Sequence, residues 1–212
     1  MRNMSAKKES AYRQALQAAT VAAARSLEKG ASAVEGCVEA VASMERSAVF
    51  NAGRGCCLNL DGQIEADAAV MSAADMSIGA IAAALGVTNG VRIAEAVRTM
   101  SPHCLLAGEG VGRFAELHDV EVERFEPAAG KLAAYQKLRQ QEGEGSRPET
   151  AEQLDRFGGT HDEGDTVGAI SLDINGRMAV AASTGGIWMK QPGRVGDSPL
   201  AGSGFWAEPN VG

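Results

Sequence analysis

Apolar residues first recur at helical spacing. Tyr12, Leu16, Ala19, Ala23 and Leu27 follow one another at steps of three and four, which places them on one helical face, and Gly30 is a natural stop. Ser32 with Glu35 reads as a capping box that opens a second helix, whose apolar stripe is Val34, Val38, Val41 and Met44. Both stripes predict core packing. Phe50 to Gly55 is a glycine-bearing turn. Cys57 to Leu60, the turn Asp61-Gly62 and Ile64 to Met71 then predict two strands joined as a hairpin. Val91 to Met100 predicts a helix ended before Pro102, Cys104 to Ala107 a short strand, and Val111 to Leu117 a short helix. From Arg139 to Asp165 the periodicity dissolves. Eight acidic residues stand there against three basic ones, among several glycines, which predicts an acidic linker whose one segment suited to a helical turn is Glu149 to Phe157. Strand character returns at Val167 to Leu172, and the turn Asp173-Ile174-Asn175-Gly176 followed by Met178 to Ala182 completes a second hairpin.

Composition narrows the class. At 212 residues and 45% hydrophobic the chain is sized for a single domain with a real core, and its 26 glycines lack the three-residue period of collagen. A net charge of -7 and a pI near 5.1 argue against nucleic-acid or membrane-surface partners, whose affinity rests on basic patches. No run approaches the length of a membrane span and the first ten residues hold no signal-peptide core, so a cytoplasmic protein is expected. Cys37, Cys56, Cys57 and Cys104 show no C-x-x-C spacing, and His103, His118 and His161 are scattered. The cysteines read as small buried hydrophobes and no side-chain metal site is expected.

The most informative stretch is Asp165-Thr166-Val167-Gly168-Ala169. A threonine opening a strand is ordinarily a β-former, but this one stands where the acidic linker ends. Ser183-Thr184-Gly185-Gly186 closes the hairpin, and Gly193-Arg194-Val195-Gly196-Asp197-Ser198-Pro199 follows. With FNAGRG at 50–55, IEADAAVM at 64–71, PHCLLAGEG at 102–110, DTVGAI at 165–170, STGG at 183–186 and GRVGDSPLAGSG at 193–204, the chain resembles the plant-type asparaginase/isoaspartyl peptidase family of N-terminal-nucleophile hydrolases. The eighteen-residue step from Thr166 to Thr184 and the ten-residue step to Arg194 match as well.

That resemblance implies an α+β fold, an αββα sandwich of two antiparallel sheets between helix layers, formed by residues 1–212 as one domain. It implies autocleavage between Asp165 and Thr166, leaving an α-chain 1–165 with the linker 139–165, and residues 166–212 as the start of the β-chain. The chemistry is intelligible. A threonine hydroxyl needs a base, and a freed α-amine with a reference pKa of about 7.7–8.0 would let Thr166 supply both nucleophile and base. The resemblance further implies that Thr184 orients Thr166 and that Asn51 lies near it. Arg194 would fork the substrate α-carboxylate, Asp197 would take its α-ammonium, and Gly185 and Gly186 would line the substrate. Taken alone, Arg194 and Asp197 read as a local ion pair and Asn51 as a turn residue.

The expected function is hydrolysis of L-asparagine and β-aspartyl (isoaspartyl) peptides by a homodimer of αβ units. No organic cofactor is expected, and backbone carbonyls near Met44 to Arg54 are expected to hold a structural sodium ion. Family members begin with a strand ending in a His-Gly-Gly-Ala-Gly type turn and continue into a Thr-Gly-x-Gly-Glu motif. Residues 1–212 contain neither, so an inactive truncated or divergent copy is one alternative. A threonine aspartase-like protease is another, although Asp197 favours a small zwitterionic substrate. Glu65 and Asp67 read as hydrogen-bonded structural acids rather than a catalytic pair, and Trp188, Phe205 and Trp206 as packing.

Overall fold

The computed structural model describes residues 5–142 and 166–209. Helix α1 (Ala6–Glu28) and helix α2 (Ala33–Arg46) form where the two apolar stripes lie, but the α1 stripe is not core throughout: only Ala19 is buried and Leu16 is 49% exposed. The Ser32–Glu35 capping box is present, with the Ser32 hydroxyl accepting from the Glu35 amide and the Glu35 carboxylate accepting from the Ser32 amide. Val34, Val38, Val41 and Met44 are all buried. After a 3-10 turn at Gly53–Gly55 come strands β1 (Glu65–Ser72) and β2 (Ile78–Leu85), helix α3 (Gly90–Met100), strand β3 (Leu105–Ala107), and helices α4 (Glu109–Leu117) and α5 (Ala129–Glu142). Strands β4 (Val167–Leu172) and β5 (Met178–Thr184) form the second predicted hairpin.

The strands make one sheet in the order β3-β2-β1-β5-β4. Three of its pairings are antiparallel, and β2 with β3 is parallel. Its helical face carries the main core: Val38 and Val41 of α2 and Val91, Ile93 and Val97 of α3 pack on Ala68, Val70, Ile81, Val167, Ala179 and Ala181. Burial of these side chains stabilises by roughly 1.5–3 kcal/mol for each large one. The Ser171 hydroxyl donates to the Ala33 carbonyl and fastens β4 to the start of α2.

On the opposite face Phe205 and Ala207 cover Ala69, Met71 and Val180, while Ile170 and Leu172 of β4 are each 59% exposed. The α+β class therefore holds, but the described residues form one mixed sheet where two antiparallel ones were expected. The reason is local: residues 186–209 are punctuated by Gly186, Gly193, Gly196, Gly202, Gly204, Pro192 and Pro199, which interrupt strand ladders. Beyond the sheet, the described residues form only the isolated bridges Leu58–Ile64 and Ala201–Phe205.

Two other expectations change. The first hairpin shrinks to that Leu58–Ile64 bridge because the buried Asn59 side chain accepts from the Asp61 and Gln63 amides, drawing the backbone into a turn. Residues 139–142 of the expected linker belong to α5, whose Tyr135 and Leu138 pack against the segment from Leu58 to Ile64. The rest of that linker, with Asp165 and the Glu149 to Phe157 segment, lies outside the described residues. Among the described residues no helix is long and apolar enough to cross a membrane.

Candidate active site

Thr166 stands at the exposed start of β4, where the ladder pairing Val167 with Ser183 brings it opposite Thr184. Its Oγ1 donates to Thr184 Oγ1 at 3.0 Å. Thr184 is 2% exposed, and the same oxygen accepts from the Gly186 amide at 3.1 Å. A hydroxyl at the end of a strand thus ties the nucleophile candidate to the turn that follows.

That turn is held by Asn51. Its Nδ2 donates to the Gly186 carbonyl at 2.5 Å, its Oδ1 accepts from the Cys57 amide at 2.8 Å, and its carbonyl accepts from the Gly185 amide at 3.0 Å. Asn51 therefore reaches Thr166 through Gly186 and Thr184. Only glycine fits at 185. A Cβ there would lie 2.6 Å from Asn51 Oδ1 and from Cys56 Cβ. At Gly186, φ is +76° and the Lys190 and Arg194 side chains lie alongside.

Arg194 is half-buried, its guanidinium set between Gly186 and Gly196. Asp197 is exposed, and its carbonyl closes a turn by accepting from the Leu200 amide. Asn51, Thr166, Thr184, Gly185, Gly186 and Arg194 are thus gathered around one turn, with Asp197 on the adjoining loop. Trp188 and Phe205 are packing residues, each under 7% exposed, while Trp206 is 44% exposed. Cys37, Cys56 and Cys57 are buried thiols as expected, but Cys104 is exposed.

A 44–54 cation site can be tested against the backbone. Ala48 has φ +56°, and its carbonyl and that of Phe50 converge on the bare face of Gly55, where a Cβ would collide with both oxygens. Those two main-chain oxygens are the donor type a hard cation takes, and both lie within the 44–54 segment. Among the described residues no group of three or more His, Cys, Asp or Glu could hold a metal ion.

The sequence profile of the asparaginase family matches residues 1–212, the whole chain. The chain belongs to the asparaginase family. It is 41% identical over 214 residues to a plant-type L-asparaginase of Pyrobaculum calidifontis, covering 99% of this chain and 67% of that protein. A mouse isoaspartyl peptidase/L-asparaginase is 36% identical over 99% of the chain and 62% of its own length. An Escherichia coli isoaspartyl peptidase is 39% identical over 96% of the chain and 63% of its own length. The chain thus spans about two thirds of the length of these relatives.

Several buried polar groups of this family member escaped the sequence reading. Glu45, 1% exposed, accepts through Oε1 from the Ser183 hydroxyl at 2.6 Å and from the Val91 amide at 3.1 Å, while its Oε2 makes no hydrogen bond. It caps α3 in place of Asn89, whose side chain does not, and it fixes the residue before Thr184. Burial pushes its carboxyl up to about 7, against the hydrogen bonds from Ser183 and Val91. Lys190 is fully buried and donates from Nζ to the Glu65 carbonyl at 2.8 Å. For Glu45 the available signal was a charged residue inside an Ala- and Val-rich segment, which is costly to bury without a partner.

Proposed function

We propose that this chain is an amidohydrolase that cleaves L-asparagine and β-aspartyl (isoaspartyl) peptides through an acyl-Thr166 ester, after cutting itself before Thr166. The observation that carries the reading is the 3.0 Å hydrogen bond from Thr166 Oγ1 to Thr184 Oγ1 at the mouth of a turn that also receives Arg194.

In maturation, Thr166 Oγ attacks the carbonyl carbon of residue 165. The C–N bond breaks, the nitrogen keeps the proton given up by the hydroxyl, and water hydrolyses the resulting ester. The products are an α-chain that ends at residue 165 and a β-chain that begins at Thr166 with a free amine. In turnover that amine takes the Oγ proton, and Oγ attacks the substrate's side-chain carbonyl. Ammonia, or the amine of the released amino acid, leaves with that proton. Water then cleaves the acyl ester and releases L-aspartate.

Arg194 forks the α-carboxylate and Asp197 takes the α-ammonium, while Gly185 and Gly186 line the substrate. Main-chain oxygens between Met44 and Arg54 would hold a sodium ion, which would stiffen the loop presenting Asn51. The active form is a homodimer of αβ units in the cytoplasm. The four free thiols support a reducing compartment.

Mass spectrometry of the purified protein tests the reading. A species beginning at Thr166 is expected, lost in Thr166→Ala, together with ammonia release from L-asparagine. No such species after prolonged incubation refutes self-cleavage. A cooperative melt without ammonia release identifies an inert family copy.

A further inference from the structure

The carboxylate pair Glu65 and Asp67 lies in an alanine-rich strand, buried to 6% and 0% exposure. Buried acids in such a strand need a reason. Neither touches Thr166. Both face the loop that carries Arg194.

Glu65 holds the start of that loop: its two carboxylate oxygens accept from the Gly193 amide at 3.0 and 3.2 Å, and its carbonyl accepts from the Lys190 ammonium. Asp67 is placed by a bulge. Ala66 pairs with Ala84 but Ala68 pairs with Ile81, so Ala82 and Ala83 together stand opposite Asp67. Ala83 takes φ +47°, a left-handed conformation alanine rarely adopts, and its displaced amide donates to Asp67 Oδ1 at 2.7 Å. Bulges re-aim side chains beside active sites, and strain of this kind persists only where the surroundings impose it.

On its other neighbour strand Asp67 pairs directly with Thr184. Its Oδ2 is buried without a hydrogen bond, and the positive charges acting on the carboxyl are the buried Lys190 ammonium first and the Arg194 guanidinium after it, with the Gly196 amide alongside. An orphaned buried carboxylate oxygen is expensive unless a positive partner answers it. Here Lys190 and Arg194 answer it together, and Arg194 is the residue assigned to the substrate α-carboxylate.

We infer that Asp67, with Glu65 beside it, is a positioning residue that fixes the Gly193–Asp197 loop and aims the Arg194 guanidinium. The inference rests on the substrate reading above and deepens it. Arg194 sits between two glycines and has a planar fork to orient. The Asp67 carboxyl, held by the bulge at Ala83, gives the guanidinium a fixed electrostatic partner on the β1 side, and the Glu65 carboxylate pins the loop at Gly193. Substrate selectivity for a free α-carboxylate is thereby set from β1, on the far side of the loop.

Asp67→Asn keeps an oxygen for the Ala83 amide and removes the charge. Calorimetric affinities for L-aspartate and for its α-amide, isoasparagine, read the effect directly, with L-asparagine turnover measured beside them. In the variant the preference for aspartate over isoasparagine should fall about tenfold, as for one lost hydrogen bond to a charged group. KM for asparagine should rise by a similar factor with kcat little changed.

Affinities that fall together, leaving the preference intact, mark a merely structural residue and overturn the inference. If Asp67→Asn does not fold, Glu65→Ala frees the other end of the loop and must reduce the same preference, or the inference fails. Wild-type protein that binds aspartate but releases no ammonia refutes the hydrolase reading alone, since the preference still scores Asp67. Wild-type protein that binds neither ligand overturns both.

Discussion

Replacing Thr184 by valine separates the hydroxyl from the shape. The side chain is almost wholly buried, and its oxygen accepts two hydrogen bonds, from the Thr166 hydroxyl at 3.0 Å and from the Gly186 amide at 3.1 Å. Valine preserves the volume and removes both. The bond to Thr166 joins neutral groups, so its loss costs about 0.5–1.5 kcal/mol of nucleophile orientation, or roughly two- to thirteenfold in rate. The Gly186 amide, left without an acceptor, costs about 1–3 kcal/mol more. That second loss falls mainly on the fold: at about 2–4 °C per kcal/mol for a chain of this size, Tm should drop by roughly 2–12 °C. Thr184→Ser keeps both bonds and should recover most of the rate. The assay follows appearance of the fragment beginning at Thr166 and ammonia release from L-asparagine, with a circular dichroism melt on each variant. Thr184→Val with both rates within about twofold of wild type, below the range of a lost hydrogen bond, refutes the reasoning.

Gly185→Ala should be at least as damaging, because its Cβ would press on Asn51 Oδ1 and on Cys56, whose Cα would stand only 2.7 Å away. Overpacking of this kind costs about 1–3 kcal/mol, and an unchanged Tm and turnover would show that the turn has room to spare. Burial pushes the Cys37 thiol up to about 12 and raises Cys56 further still, while Cys104 is exposed. Native protein treated with iodoacetamide near pH 8 should therefore be alkylated at Cys104 alone, where the thiolate is accessible. A second label before unfolding would contradict the packing around α2 and the Phe50–Cys57 turn.

Local rules carried the reading a long way. The stripes of α1 and α2, the Ser32 capping box, α3, α4 and the β4–β5 hairpin all depend on spacing within a few residues, and spacing is written in the chain. The order of motifs around Thr166, Thr184 and Arg194 carried the family in the same way. Strand β2 was invisible because Ile78-Gly79-Ala80-Ile81-Ala82-Ala83-Ala84-Leu85 has no polar alternation: six of its eight residues are buried, so neither face needs polar side chains. Most of helix α5 went unread because its large apolar residues are few, and Ala134, Tyr135 and Leu138 tie it to the segment from Leu58 to Ile64 while Lys131 lies over the Trp188 ring.

Tertiary structure alone decided what joins across long separations. Asn51 reaches Gly186 across 135 residues, and Glu45 reaches Ser183 across 138. Asp67 comes to face the Arg194 loop because β2 bulges opposite it. Periodicity reports which face of an element is apolar. It is silent on which strand lies next to which, because pairing is settled by the packing of whole elements, and that pairing converts scattered threonine, asparagine and acidic residues into one site.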